Sequence, residues 1–219
     1  MKDGTILHEA RVTADNPLAD INRVGGRLCL DFTNTIDAYD PPLDDKLRSY
    51  DDLVWWGLLV GAVDEAQAGA LFARAKSEPD AAAEVLARAV ALRGAMYRAF
   101  SAAAEGAGRR AEDLEIVNGE LSRALPHLRL CAGAECCAWE WEEGAELDRV
   151  LWPVVRDAAD LLASGELVRV GECQGERCDW LYLDTSRNRS RRWCDMASCG
   201  NRAKAKRHYH RARGAAGED

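Results

Sequence analysis

Apolar residues recur at Val85, Ala89, Leu92, Met96 and Phe100, the spacing that puts them on one face of a long helix. The same period predicts a second helix through Leu114, Val117, Leu121 and Leu125. It predicts a third through Leu147, Leu151, Val154, Ala158, Leu161 and Leu162, which Pro153 either kinks or opens. Gly106–Gly108 ends the first of these and Ser164-Gly165 the last. Earlier in the chain, Ser49 followed by Asp52 is close to a capping box and starts a helix that buries Leu53, Trp56 and Leu59. Residues 64–76 read as another helix, broken at Glu78-Pro79. Period-two stretches are fewer. His127–Cys131 and Cys136–Glu142 predict a hairpin, with Trp139 and Trp141 on one face. Val24–Phe32 alternates Leu28, Leu30 and Phe32 with Arg27, Cys29 and Asp31, which predicts a strand with one apolar face. Residues 1–20 read as a poorly ordered lead or an edge strand, and Leu167–Val170 as a short strand running directly into the last segment. The class is α+β, with a helix-rich α/β domain over 1–166, a small module over 167–213 and a disordered tail over 214–219.

That module has a pattern of its own. Cys173/Cys178 and Cys194/Cys199 are two C-x4-C pairs with fifteen residues between them. The insert holds a strand-like WLYLD (Trp180–Asp184) and a turn-forming TSRN. From the second pair onward the residues suit a helix, with Ala205, Tyr209 and Ala212 on an inner face and cations on both flanks. Knuckle, hairpin, helix is the order of a treble-clef zinc finger. Four cysteines could also be buried thiols or two disulfides. Paired spacing in a chain without a secretory signal favours a metal, and four matched thiolates suit a closed, structural Zn2+ site rather than a catalytic one with an open position. Cys131, Cys136 and Cys137, near His127, lack a second pair to complete a metal site. They read as buried reduced thiols.

Charge sharpens the picture. Residues 185–213 hold ten Lys/Arg against Asp195 alone, the tail adds two acids, and the chain stands at −8, which leaves −15 on residues 1–184. An acidic body therefore carries a basic arm, eight of whose ten cations are arginine. The planar guanidinium fork suits phosphate and guanine edges. The candidate nucleic-acid contacts are Arg187, Arg189, Arg191, Arg192, Arg202, Lys204, Lys206, Arg207 and Arg211. Without that segregation, a pI near 5.1 would argue against a nucleic-acid partner.

The run DTSRNRSRRWCDMASCGNR (184–202) resembles the CGNR zinc finger of bacteria, named for Cys199, Gly200, Asn201 and Arg202. Upstream, GGRLCLDFTNT (25–35) is similar to the opening of the ABATE domain that usually precedes that finger. Together the two resemblances span most of the chain. They imply a stress-responsive transcription regulator whose N-terminal domain senses a ligand. Asp31 and Asn34 at the end of the first strand, Trp56 on its helix and Asn118 beside an apolar stripe are candidate ligand-binding residues. The bland alternative is that the first two cap a turn, the tryptophan is core and the second amide satisfies backbone.

No Gly-rich phosphate loop, G-x-S-x-G elbow or H-E-x-x-H motif is present, and no catalytic residue is assigned. The chain has no apolar run of membrane-spanning length and no signal peptide, so a cytoplasmic protein with no membrane partner is expected. DNA is the expected partner. An RNA binder would instead stack bases on Trp180 or Tyr182. A homodimer would suit paired half-sites, though no heptad repeat demands one. The alternative is a small-molecule-binding protein or enzyme whose finger is structural or docks on protein, its own acidic body included.

Overall fold

A computed structural model describes residues 21–39, 44–133 and 136–215, with the backbone alone at 208 and 210–215. The expected lead over 1–20, the loop at Pro41-Pro42 and residues 216–219 of the tail lie outside the described residues.

The body is built from helices. They are α1 (Leu28–Thr33), α2 (Tyr50–Val60), α3 (Glu65–Ser77), α4 (Pro79–Ala104), α5 (Ala111–Ala124) and α6 (Leu151–Ala163). The local signals for α2 and α3 act as read. Ser49–Asp52 and Asp64–Gln67 each form a complete capping box, and Gly61 closes α2 in the left-handed conformation at φ 77°. Pro79 occupies the first turn of α4, where its missing N–H costs no hydrogen bond. All five residues of the α4 stripe, Val85 to Phe100, are buried. Pro153 lies in the first turn of α6, so it opens that helix and does not kink it. The hairpin pairs β1 (Leu128–Ala132) with β2 (Cys137–Trp141) in antiparallel register, Leu130 opposite Trp139. It docks through His127, whose ring stacks on Trp152 at 4.1 Å, and through Trp141 at 5.8 Å from the same indole.

The sequence reading fails at the first element. Residues 28–33 form helix α1, not part of a strand over Val24–Phe32. Leu30 and Phe32 are fully buried, but so is Cys29, so α1 is enclosed on several sides and shows no single-faced period. Its start is also not signalled locally. Arg27 precedes it without a side-chain cap, and the capping oxygen comes from α6, where the Asp157 carboxylate accepts from the Cys29 N–H at 2.9 Å. Arg27 donates to the same carboxylate from Nε at 2.9 Å. Gly25 permits the tight entry, because a Cβ there would sit 2.8 Å from Leu30 Cβ and 2.9 Å from Asp31 N. Cys131 is half-buried while Cys136 and Cys137 are exposed, which corrects the expectation of buried thiols: a two-stranded hairpin lying on the surface cannot enclose them. No described helix is long and apolar enough to cross a membrane.

Asp31 shows the cost of this packing. Burial pushes its carboxyl up to about 6, against the opposing pull of the Gly25 N–H and Arg23. The folded protein then holds that proton more tightly than the unfolded chain. The stability it contributes is full below pH ~4 and is lost as pH rises through about 6. Asp31→Asn keeps an acceptor for Gly25 and removes the charge. Denaturant melts should find it more stable than wild type at pH 8, on the order of 1–2 kcal/mol after discounting for partial exposure, with the difference gone near pH 4.

Candidate zinc centre and nucleic-acid interface

A 3-10 turn over Gly165–Arg169 leads from α6 into β3 (Val170–Glu172), which pairs antiparallel with β4 (Leu181–Leu183). Cys173 follows β3 directly, and Cys178 closes the first knuckle through a Cys178 N–H to Gly175 carbonyl bond of 3.1 Å. The second knuckle is a π-helical turn over Met196–Gly200, capped where the Asp195 carboxylate accepts from Ser198 N–H at 2.9 Å. It runs without a break into α7 (Asn201–Ala215).

All four sulfurs are buried and lie within 4.8 Å of one another. Cys178 Sγ is 3.7 Å from Cys194 Sγ, which is 3.6 Å from Cys199 Sγ. Tetrahedral zinc with Zn–S bonds of about 2.3 Å requires sulfur–sulfur edges of roughly 3.8 Å, so the cage has the right size. A disulfide would need about 2.05 Å, which removes that alternative. Charge points the same way. With no cation among them the thiols cannot ionise together: hydrogen bonds from Cys178 and Cys194 pull Cys173 down, while Cys173 and Cys178 drive Cys194 up. A dication relieves that conflict. Backbone N–H groups of Gly175 and Cys194 point at Cys173 Sγ at 3.4 and 3.2 Å, and Arg202 Nη2 at Cys199 Sγ at 3.2 Å, offsetting the −2 of a four-thiolate zinc centre. A side chain at Gly175 would crowd the cage, since a Cβ would fall 3.0 Å from Cys199 Sγ and 3.3 Å from Cys173 Sγ. This is one structural zinc site.

Two families of sequence meet on this geometry. The model of the ABATE family, described as "Putative stress-induced transcription regulator", matches residues 26–165. The chain belongs to the ABATE family. The CGNR zinc finger matches residues 169–212, around the cage just described. No curated protein matches the chain.

Several hydrogen bonds from residues 24–39 tie the ABATE body to the CGNR finger. Asn34 is buried and holds both sides of one residue of β4, its Nδ2 donating to Leu181 carbonyl at 2.9 Å and its Oδ1 accepting from Leu181 N–H at 2.8 Å. Trp180 Nε1 donates to Ile36 carbonyl at 2.8 Å, Tyr39 N–H to the Asp179 carboxylate at 2.8 Å, and Leu183 N–H to Gly25 carbonyl at 2.7 Å. Further along the body, Ser101 of α4 donates to Glu172 at 2.7 Å. The finger's orientation is therefore fixed by the body.

The candidate ligand residues do not come together around a hollow. Trp56 is fully buried against Phe32, with ring centroids 4.9 Å apart. Asn34 is consumed by Leu181, Asp31 accepts from Gly25 N–H, and Asn118 faces solvent on α5, beyond reach of the core. None of the four lines the two surface hollows on the finger or the one between α4 and α5.

The candidate cations divide. Arg187, Arg189, Arg192, Arg202, Lys204, Lys206 and Arg207 are exposed. The side chain of Arg211 lies outside the described residues. Arg191 differs. Its guanidinium donates to the carbonyls of Trp193 (3.0 Å), Val24 (2.9 Å), Leu183 (3.3 Å) and Cys194, and sits 4.3 Å from the Tyr182 ring centroid. Trp180 and Tyr182, proposed for base stacking, are likewise engaged, and Tyr182 is buried with its hydroxyl on Arg191 carbonyl at 2.7 Å. The inner face expected on the C-terminal helix is not buried either. Ala205 is exposed and Tyr209 is 56% exposed, while the side chain of Ala212 lies outside the described residues. Among the described residues, the only ion pair made by residues 185–207 is Lys206–Glu176, at 2.6 Å and inside the finger.

Arg191→Ala should therefore act on stability. Losing four acceptors' worth of charge-assisted bonds predicts destabilisation of about 2–4 kcal/mol in denaturant and weaker zinc retention under a chelator. Arg187→Ala, at the surface, should stay within about 0.5 kcal/mol of wild type. Elemental analysis should find one zinc per chain, and Cys199→Ser should lower that content and expose the finger to protease while the helical body persists.

Proposed function

We propose that the chain is a DNA-binding transcription regulator in which zinc holds a cationic face in shape and the acidic body fixes where that face points. The observation that carries this reading is the open charge of the finger. Among the described residues, Arg187, Arg189, Arg192, Arg202, Lys204 and Arg207 reach solvent without an ion pair to a carboxylate of the body, and Arg211 follows one turn after Arg207 on α7. Such side chains can exchange their counterions for phosphates. The match to a zinc finger and to a family described as regulators supports the same reading. It disfavours a finger that docks on its own acidic body, since the arm's cations would then be spent on body carboxylates. The −15 of residues 1–184 repels phosphate, so a duplex would approach from the finger side. Asp31, Asn34 and Trp56 serve the fold in this reading, and Arg191 acts by holding the interface together.

Anisotropy titrations of zinc-loaded protein with duplex DNA test it. Log affinity should fall linearly with log salt, with a slope of about −0.9 for each phosphate neutralised, and Arg187→Ala with Lys204→Ala should make that slope shallower by roughly 1.8. Binding that ignores salt, or no binding to any duplex, would overturn the reading.

A further inference from the structure

The finger contains a groove that a flat phosphate-contacting surface does not need. It lies between the first zinc knuckle and the start of α7 and encloses about 660 Å³, within the roughly 300–1,000 Å³ of small-ligand sites. Among the described residues, five cations line it: Arg177 from the knuckle, Arg192 from the segment before the second knuckle, and Arg202, Lys206 and Arg207 from α7, while Glu176, paired to Lys206, is the one acid on its walls. Even with the −2 of a zinc–thiolate centre beneath Cys199, the groove stays positive. Its walls are not all charge. Trp193 and Ala203 supply apolar surface, and the Arg192 guanidinium lies 5.3 Å from the Trp193 ring centroid, a cation–π pair at the rim.

The backbone adds an independent observation. Arg177 has φ 61°, in the left-handed region that residues other than Gly, Asn and Asp seldom occupy. Glycine would relieve that strain at the end of a knuckle. The arginine that stands there instead projects a charge into the groove. Arg189, with φ 48°, shares the conformation outside the groove, so at Arg177 the strain bears on function only together with the side chain's place in the groove wall.

We propose that this groove is a nucleotide site, binding a planar base joined to phosphate, with phosphates on Arg177, Arg202 and Arg207 and the base against the Arg192–Trp193 pair. Phosphate alone would leave Trp193 and Ala203 without a partner, and a base alone would leave the cations unused. The same chemistry has two sources, a free nucleotide or an unstacked residue of a nucleic-acid strand. Because Arg192, Arg202 and Arg207 also belong to the proposed DNA face, a free nucleotide there would compete with DNA and place the regulator's ligand response in the finger. The nucleotide site stands without the DNA reading; only that competition rests on it.

The test is direct titration of the zinc-loaded full chain, without DNA, by ADP, by pyrophosphate, and by a short oligodeoxythymidylate. ADP should bind saturably and at least tenfold more tightly than pyrophosphate. Arg177→Asn, which suits the left-handed backbone, should weaken ADP by about tenfold or more while zinc content stays at one per chain. Should that variant lose zinc, Arg207→Gln on the opposite wall carries the same expectation. Oligodeoxythymidylate binding that is weakened by Arg177→Asn while ADP is silent supports the site with a strand as its source. ADP binding that leaves duplex affinity unchanged supports it with a free nucleotide as its source. Pyrophosphate binding as tightly as ADP overturns the proposal, as does any result in which neither nucleotide probe depends on Arg177. Failure of duplex binding leaves the ADP result standing, so the two readings fall separately.

Discussion

Four sulfurs held within 4.8 Å are the constraint on which the C-terminal finger depends. Thiolates that close repel one another, and only a bound dication lets all four ionise. The segment has little else to hold it. Its second core cluster consists of the four cysteines and Tyr182, with Val24, Trp180 and Trp193 packed at the edge. A module with so small a core needs a staple, and here the staple also orients the surface. Cys194 follows the arginine-rich segment, and Cys199 lies in the turn over Met196–Gly200 from which α7 extends. Zinc thus sets the separation of the two cationic walls.

The body acts on the finger through residues 24–39. Helix α1 is held from α6 by Asp157 and packs into the helical core, while the residues on either side of it bond to β4 and its neighbours. Asn34 is the central link, since its amide offers a donor and an acceptor at the spacing of one peptide's N–H and carbonyl. The polarity of the molecule follows from this rigid join. An anionic body and a cationic finger on a flexible tether could fold back on one another. Among the described residues, the exposed cations of the finger make no ion pair with a body carboxylate.

Arginine illustrates how one residue type serves two purposes a single position apart. Arg191 is surrounded by four backbone carbonyls, of Val24, Leu183, Trp193 and Cys194, which take four of its five N–H donors. Arg192, next in sequence on an extended backbone, points the other way, to Gln174 and the groove. Nothing in a run of arginines separates the buried clamp from the solvent-facing contact. The separation appears only where unpaired carbonyls converge.

Much of the molecule was legible from order and period alone. The stripe of α4, the capping boxes of α2 and α3, the hairpin and the zinc ligands follow from local rules: a helix repeats its face, a cap lies three residues away, and a knuckle spaces its own cysteines. Even the segregation of charge is a property of sequence. Tertiary structure decided what depends on partners far along the chain. The residues of α1 alternate as a strand does, and they became a helix because Asp157, 128 residues away from Cys29, caps the first turn and the core encloses it. Asn34 became a join between body and finger, and not a ligand contact, because Leu181 lies 147 residues on. Arg177, unnoticed between two cysteines, gained a groove because α7 starts opposite it. A short-range pattern can specify the elements, but which buried polar group meets which partner is settled only when the chain closes on itself.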